Sequence, residues 1–295
     1  MGITTCRAAN AFGTPGAFVC PLRPAAHPGG ITVPDSSSLG LVLSGGGAYG
    51  AAHVGVLREL SDRGIRPGVV AGTSSGALVA AAYAADVPHE QIERAARAFR
   101  WSSIARMSLS PRLGLLDTRA LTGVIHRELG EDPLIERLPR RFAAVATDVR
   151  TRQAVVIDEG PLDVALRATI AVPGLLPPVH RRGQILVDGG MTDNVPVAAA
   201  RQLGASTVIV VRLHAKWENI RMMRVVSSVA TLDQDPSVIL IQPEMAGLAQ
   251  WSMADVPHLI AEGRRAAREA LDAADSILSD RAQAPSDVVD HSSRE

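Results

Sequence analysis

The chain is 295 residues long, 46 % hydrophobic and 20 % charged, with 30 basic against 30 acidic side chains and a formal net charge of zero. That size and composition suit an α/β enzyme domain with a substantial core, and the balanced charge argues against a nucleic-acid binder, which needs a basic excess or stripe. The two cysteines, Cys6 and Cys20, both lie near the start, so the body of the chain has neither a disulfide framework nor a cysteine zinc site.

Residues 1–38 are rich in Gly, Pro, Ala and Ser and show no sustained period, which predicts a disordered or loosely packed extension. They lack the basic start and apolar block of a secretory signal. Cys6 stands where a myristoylation site wants Ser or Thr. No apolar run reaches about 18 residues, so no transmembrane helix is expected. A cytoplasmic protein is the default expectation, with peripheral contact at a membrane left open.

From residue 39 the pattern becomes regular. Residues 39–43 read as a buried parallel strand, followed by Ser44-Gly45-Gly46-Gly47-Ala48-Tyr49-Gly50, with a helix from residue 47 to about 61. A second apolar strand, 69–72, leads through Gly72-Thr73-Ser74-Ser75-Gly76 into a small-residue helix over 77–85. Pro88 opens another helix, to residue 99. Residues 100–116 mix apolar residues with Ser, Pro and Gly and have no clear class. Asp117 or Thr118 can cap a helix to residue 129. Strands are expected at 142–148 and 154–157, a helix at 162–170, and an extended loop over 171–179 stiffened by Pro173, Pro177 and Pro178. Residues 184–187 form a strand ending at Asp188-Gly189-Gly190. Pro196 opens a helix to residue 203, strands follow at 207–211 and 238–241, and Asp255 caps a final helix to residue 278. The catalytic domain is thus expected over 39–280, with a flexible tail over 281–295. Alternating strands and helices predict a three-layer α/β/α fold with a largely parallel sheet.

Three motifs carry chemistry. Gly72-x-Ser74-x-Gly76, between an apolar strand and a helix, fits a nucleophile elbow, where a Cβ at either flank would crowd the bend. Ser74 then stands at a helix head, where free N–H groups favour developing negative charge. The glycine run from Gly45 to Gly50 fits an oxyanion hole, a dinucleotide loop or a tight packing turn. The dinucleotide reading wants an acid at the end of the second strand, and the sequence there is Gly72-Thr73-Ser74. A serine nucleophile also needs a base. Histidines stand at 27, 53, 89, 126, 180, 214, 258 and 291, none in a persuasive setting; His53 falls one turn into a helix and His258 in a first helical turn. Asp188, ending an apolar strand before two glycines, is a better candidate, because a carboxylate in a dry pocket is more basic than a solvated one. Spacing alone does not separate it from Asp148.

Together these motifs resemble the patatin-like phospholipase family. Gly45-Gly46-Gly47-Ala48-Tyr49-Gly50 is similar to its oxyanion-hole motif, Gly72-Thr73-Ser74-Ser75-Gly76 to its elbow, and Asp188-Gly189-Gly190 to its Asp-Gly-Gly or Asp-Gly-Ala motif. Ala146-Thr147-Asp148, the run from Arg167 to Gly174, and Asp193-Asn194-Val195-Pro196 match as well. The resemblance implies a Ser74–Asp188 dyad, an oxyanion hole from the N–H groups of Gly45, Gly46 and Gly47, hydrolysis of a lipid or acyl ester through an acyl-serine, and no metal or cofactor. A Ser–His–Asp esterase and a non-catalytic lipid-binding protein on the same fold remain as alternatives. One departure is Tyr49, where the family often has a basic residue; its absence points toward a neutral ester or a lysolipid. Residues 219–232 form either a lid helix or a core helix, and 100–116 invite the same two readings.

Overall fold

The structure is a computed structural model that describes residues 37–100, 106–107, 116–117, 121–123, 125, 133–213 and 232–283. The expected N-terminal extension up to residue 36, the candidate lid at 219–231 and most of 100–116 lie outside these residues.

The strands are β1 (Leu39–Leu43), β2 (Val69–Thr73), β3 (Arg106–Met107), β4 (Leu116–Asp117), β5 (Arg141–Asp148), β6 (Gln153–Ile157), β7 (Val179–Arg181), β8 (Gln184–Asp188), β9 (Thr207–Val211) and β10 (Val238–Ile241). The helices are α1 (Ala51–Asp62), α2 (Ser75–Ala84), α3 (His89–Ala98), α4 (Leu162–Thr169), α5 (Val197–Gln202) and α6 (Val256–Gln283). Apart from the β3–β4 pair, the strands join one sheet in the order β10-β9-β1-β2-β5-β8-β7, with β6 also on β5. The pairs from β10 to β5 are parallel; β6, β7 and β8 join antiparallel.

Alternate residues of each central strand enter two separate cores. Leu39, Leu41, Leu43, Val70, Phe142, Ala144, Ala146, Ile209 and Val211 face a core shared with α1, α2, α3, α4 and α6. Val42, Val69, Ala71, Ala143, Val145, Val208 and Val210 face the other, closed by Ala199 and Ala200 of α5 and by Leu232. Burial on both faces is why these strands read as unbroken apolar runs rather than as alternating ones. The layers are helix, sheet, helix, as expected.

Pairing along β5 sets the site. Ala144 and Val145 pair with both β2 and β6, while residues 146–148 pair with both β6 and β8. A strand has two edges, so β2 and β8 share the edge opposite β6. β2 runs parallel to β5 and its Thr73 pairs with Val145; β8 runs antiparallel and its Asp188 pairs with Ala146. The two strands therefore end facing each other at neighbouring positions of β5. The residues at that junction, Ser74 and Asp188, are 114 apart in sequence.

Several boundaries differ from the sequence expectation. The helix expected from residue 47 begins with a 3-10 turn, Gly47–Gly50, and becomes α only at Ala51. The stiff loop over 171–179 gives way at its end to β7, a short edge strand held by its hairpin with β8. The last helix runs to Gln283, into the segment expected to be tail.

Candidate active site

The elbow forms because β2 has to turn sharply into α2. Ser74, at the turn, has φ 51 and ψ −126, a left-handed conformation that costs a non-glycine residue about 1–3 kcal/mol. Its flanks need glycine. A Cβ on Gly72 would lie 2.6 Å from Ala77 Cα, and one on Gly76 would lie 2.3 Å from the Leu43 carbonyl oxygen. The strain is held from α4: the Ser74 N–H donates to Thr169 Oγ1 at 2.8 Å, and the buried Thr169 hydroxyl in turn donates to the Val145 carbonyl.

Ser74 Oγ donates to Asp188 Oδ2 at 2.8 Å, and Asp188 Oδ1 accepts from the Gly190 N–H at 2.7 Å. Both side chains are buried. Burial pushes the Asp188 carboxyl up to about 6, against the opposing pull of the Gly190 N–H and the Ser74 hydroxyl. Gly189 lets β8 end flush against β5; a Cβ there would stand 2.1 Å from the Val145 carbonyl oxygen. Thr147 steadies the same turn, donating to the Asp188 carbonyl at 2.9 Å. Asp148 is one residue further along β5, but its carboxylate accepts from the Arg150 N–H at 2.9 Å and belongs to the β5–β6 turn.

The glycine loop meets the elbow through Ser75 and Asn194. The Gly46 N–H donates to Ser75 Oγ at 3.1 Å, and Gly50 packs on the Ser75 side chain. Gly45 is held twice by Asn194: its N–H donates to the Asn194 carbonyl at 3.2 Å, and its carbonyl accepts from Asn194 Nδ2 at 3.3 Å. Of the three amides expected to form an oxyanion hole, Gly45 and Gly46 are thus engaged within the protein. Among the described residues, neither the Gly47 N–H nor the Ser75 N–H donates to a protein acceptor. Gly47 takes the left-handed φ of 62 that turns the loop into α1.

Tyr49 belongs to this loop, and its side chain is tied to another segment of the chain. It is fully buried, and its hydroxyl donates to the Leu248 carbonyl at 2.8 Å. Burial, with Asp255 nearby, pushes its phenol above the ordinary value. None of the described histidines, His53, His89, His180 and His258, is hydrogen-bonded to Ser74. His53 is buried in α1 with Nε2 2.8 Å from the Ser44 carbonyl, so Nε2 carries the proton; burial pushes its pKa down to about 4 and the ring is neutral. Among the described residues no group of His, Cys, Asp and Glu side chains could hold a metal ion.

The motifs assign no separate role to Thr169, Ser75 or Asn194. Thr169 and Asn194 fall inside segments that matched the family, but the contacts that define their work cross from one part of the chain to another. No local pattern carries such contacts.

Comparison with known proteins agrees with the fold. The patatin-like phospholipase family model matches residues 41–201, more than half of the chain. An uncharacterized NTE-family protein of Mycobacterium tuberculosis is 30 % identical over 277 residues, covering 82 % of this chain and 48 % of its own length. A patatin-like phospholipase domain-containing protein of Caenorhabditis elegans is 40 % identical over 181 residues, 59 % of this chain and 13 % of that protein. The crystal structure of VipD from Legionella pneumophila superposes with a TM-score of 0.52 at 14 % identity, over 80 % of this chain and 67 % of that one; at that identity it speaks for the fold. The chain spans about half the length of the mycobacterial relative and a small part of the nematode one. It belongs to the patatin-like phospholipase family.

Proposed function

We propose that the chain is a serine lipid acyl hydrolase in which Ser74 is the nucleophile and Asp188 the general base. The observation that carries this reading is the 2.8 Å hydrogen bond from Ser74 Oγ to a buried carboxylate whose pKa burial has raised to about 6. A hydroxyl so placed can lose its proton as it attacks, and a base tuned toward neutrality takes that proton more readily than a solvated aspartate would.

The steps follow from the positions. Ser74 Oγ forms a bond to the ester carbonyl carbon while its proton passes to Asp188 Oδ2. The carbonyl oxygen, now negative, is met by the N–H groups of Gly47 and Ser75 at the head of α2. Gly46 joins them when the Ser75 hydroxyl turns aside. Each such donor is worth about 3–4 kcal/mol of barrier. The intermediate collapses, the ester C–O bond breaks, and the leaving alkoxide takes the proton from Asp188. Water then attacks the acyl-Ser74 carbon, gives its proton to Asp188, and releases the fatty acid as the Ser74 oxygen recovers that proton. Gly45 and Asn194 have a positioning role, since both are committed to each other. The substrate class is a carboxylic ester of a lipid: phospholipid, lysophospholipid or neutral ester.

The test is hydrolysis of a p-nitrophenyl acyl ester by the full chain and by Ser74→Ala. The variant is expected to lose at least about 10³-fold in kcat/KM with an unchanged circular dichroism spectrum. A folded Ser74→Ala protein with full activity would overturn the reading.

A further inference from the structure

The segment between β10 and α6 comes back to lie on the glycine loop. The Ala48 N–H donates to the Gln250 carbonyl at 2.8 Å, and the Tyr49 hydroxyl donates to the Leu248 carbonyl at 2.8 Å. Two residues of the loop thus hold two residues of the segment. Next to them, Trp251 borders the loop directly: the Cβ position of Gly47 lies 2.9 Å from the Gln250 carbonyl oxygen and 3.5 Å from Trp251 Cζ3. Gln250 is 5 % exposed, whereas Trp251 is 46 % exposed. The indole is therefore anchored through its backbone neighbours and remains partly exposed.

This arrangement gives position 49 a different job from the electrostatic one its family resemblance suggests. A cation there would have to bury its charge where the phenol now donates to a single carbonyl, and an unpaired buried charge is costly. In this chain the side chain is a strut under the 248–251 segment.

Resting on the reading of Ser74 as nucleophile and the Gly47 N–H as an oxyanion donor, we propose that Trp251 is the acyl-selecting residue of the site, positioned through Leu248 by Tyr49. An ester whose carbonyl oxygen meets the Gly47 N–H carries its acyl chain past the indole edge. A large, flat, apolar side chain with few rotatable bonds suits that contact, because it buries chain methylenes at little entropic cost. The occupant is a straight fatty acyl chain. The indole borders the loop that holds the reacting carbonyl, so it meets the chain at its carbonyl end, where an unbranched alkyl group differs from a methyl.

The test uses the full chain and two monomeric esters, p-nitrophenyl acetate and p-nitrophenyl octanoate, both below their aggregation limits. The readout is the octanoate-to-acetate ratio of kcat/KM. Trp251→Ala is expected to lower that ratio about tenfold. Trp251→Phe should retain most of it, and Tyr49→Phe, which removes only the hydroxyl, should lower it by a smaller factor. Unfolding midpoints are measured alongside, because a purely structural role for Tyr49 would move the midpoint and leave the ratio alone. An unchanged ratio in Trp251→Ala overturns the inference. So does a loss confined to vesicle-borne substrate, which would make Trp251 a contact for the lipid surface instead. Ser74→Ala is run on both esters. Activity surviving there would overturn the nucleophile assignment itself, whereas a Ser74-dependent reaction with an unchanged ratio would overturn only the role of Trp251.

Discussion

Asp188 ties the pH dependence of activity to that of stability, with opposite signs. In its proposed role as general base it must be ionised, so kcat/KM for an acyl ester should rise as pH passes upward through about 6 and level off above it. For stability the sign reverses. The folded-state pKa of about 6 stands above the ordinary 3.8, so the fold favours the neutral carboxyl. Its contribution is fully present below about pH 4 and is lost as pH rises through 6. At pH 8 the buried carboxylate costs the folded state about 3 kcal/mol. Asp188→Asn should therefore raise the urea midpoint at pH 8 while leaving almost no esterase activity; a lowered midpoint would contradict the burial argument. The candidate residues themselves were legible in the sequence, because an elbow serine and a strand-end aspartate sit in short local patterns. The choice between Asp188 and Asp148 was not. Both end apolar strands, and only the pairing of β5 decides which carboxylate reaches Ser74.

At the scale of elements, the site depends on neighbours that hold strained backbone. Thr169, the last residue of α4, accepts from the Ser74 N–H and donates to β5. Thr169→Val keeps the shape but leaves the Ser74 N–H unpaired in a buried place, which should cost about 1–3 kcal/mol of stability and lower kcat more than it raises KM. Denaturant titration and steady-state kinetics read the two effects separately. Helix α6 crosses α1 with glycines at the contact: a Cβ on Gly55 would lie 1.9 Å from the Ile260 carbonyl oxygen, and one on Gly263 would lie 1.9 Å from the Ala52 carbonyl oxygen. Gly55→Ala has no room and should destabilise by about 3 kcal/mol or more, measurable as a drop in Tm. The same crossing is tied by the buried Glu59. Burial alone would raise its carboxyl, but hydrogen bonds from Arg268, Arg264 and Arg63 outweigh it and hold the group below its ordinary value. The central strands were readable as elements because each is apolar on both faces. β7 was not, because three residues at a sheet edge owe their conformation to the hairpin with β8 rather than to their own pattern.

For the whole molecule, the decisive feature is that β2 and β8 end head to head along one edge of β5. The alternation of strands and helices predicts a parallel sheet, and β10 through β5 follow it. It does not predict that β6 and β8 reverse direction, since register and direction depend on which edges are free once the first strands have paired. The proposed nucleophile and base, Ser74 and Asp188, thus depend on the sheet as a unit. Loss of esterase activity and loss of helical circular dichroism should coincide in urea; an earlier loss of activity would mean that the β5–β8 edge opens by itself. Whether Ser74 is a nucleophile activated by Asp188 can be read without any choice of substrate, by covalent labelling with a fluorophosphonate probe and location of the modified residue by peptide mass. One adduct per chain is expected, on Ser74, formed far more slowly in Asp188→Asn and absent in Ser74→Ala. A wild-type chain that carries no adduct on Ser74, or an Asp188→Asn protein labelled at the wild-type rate, would contradict the dyad.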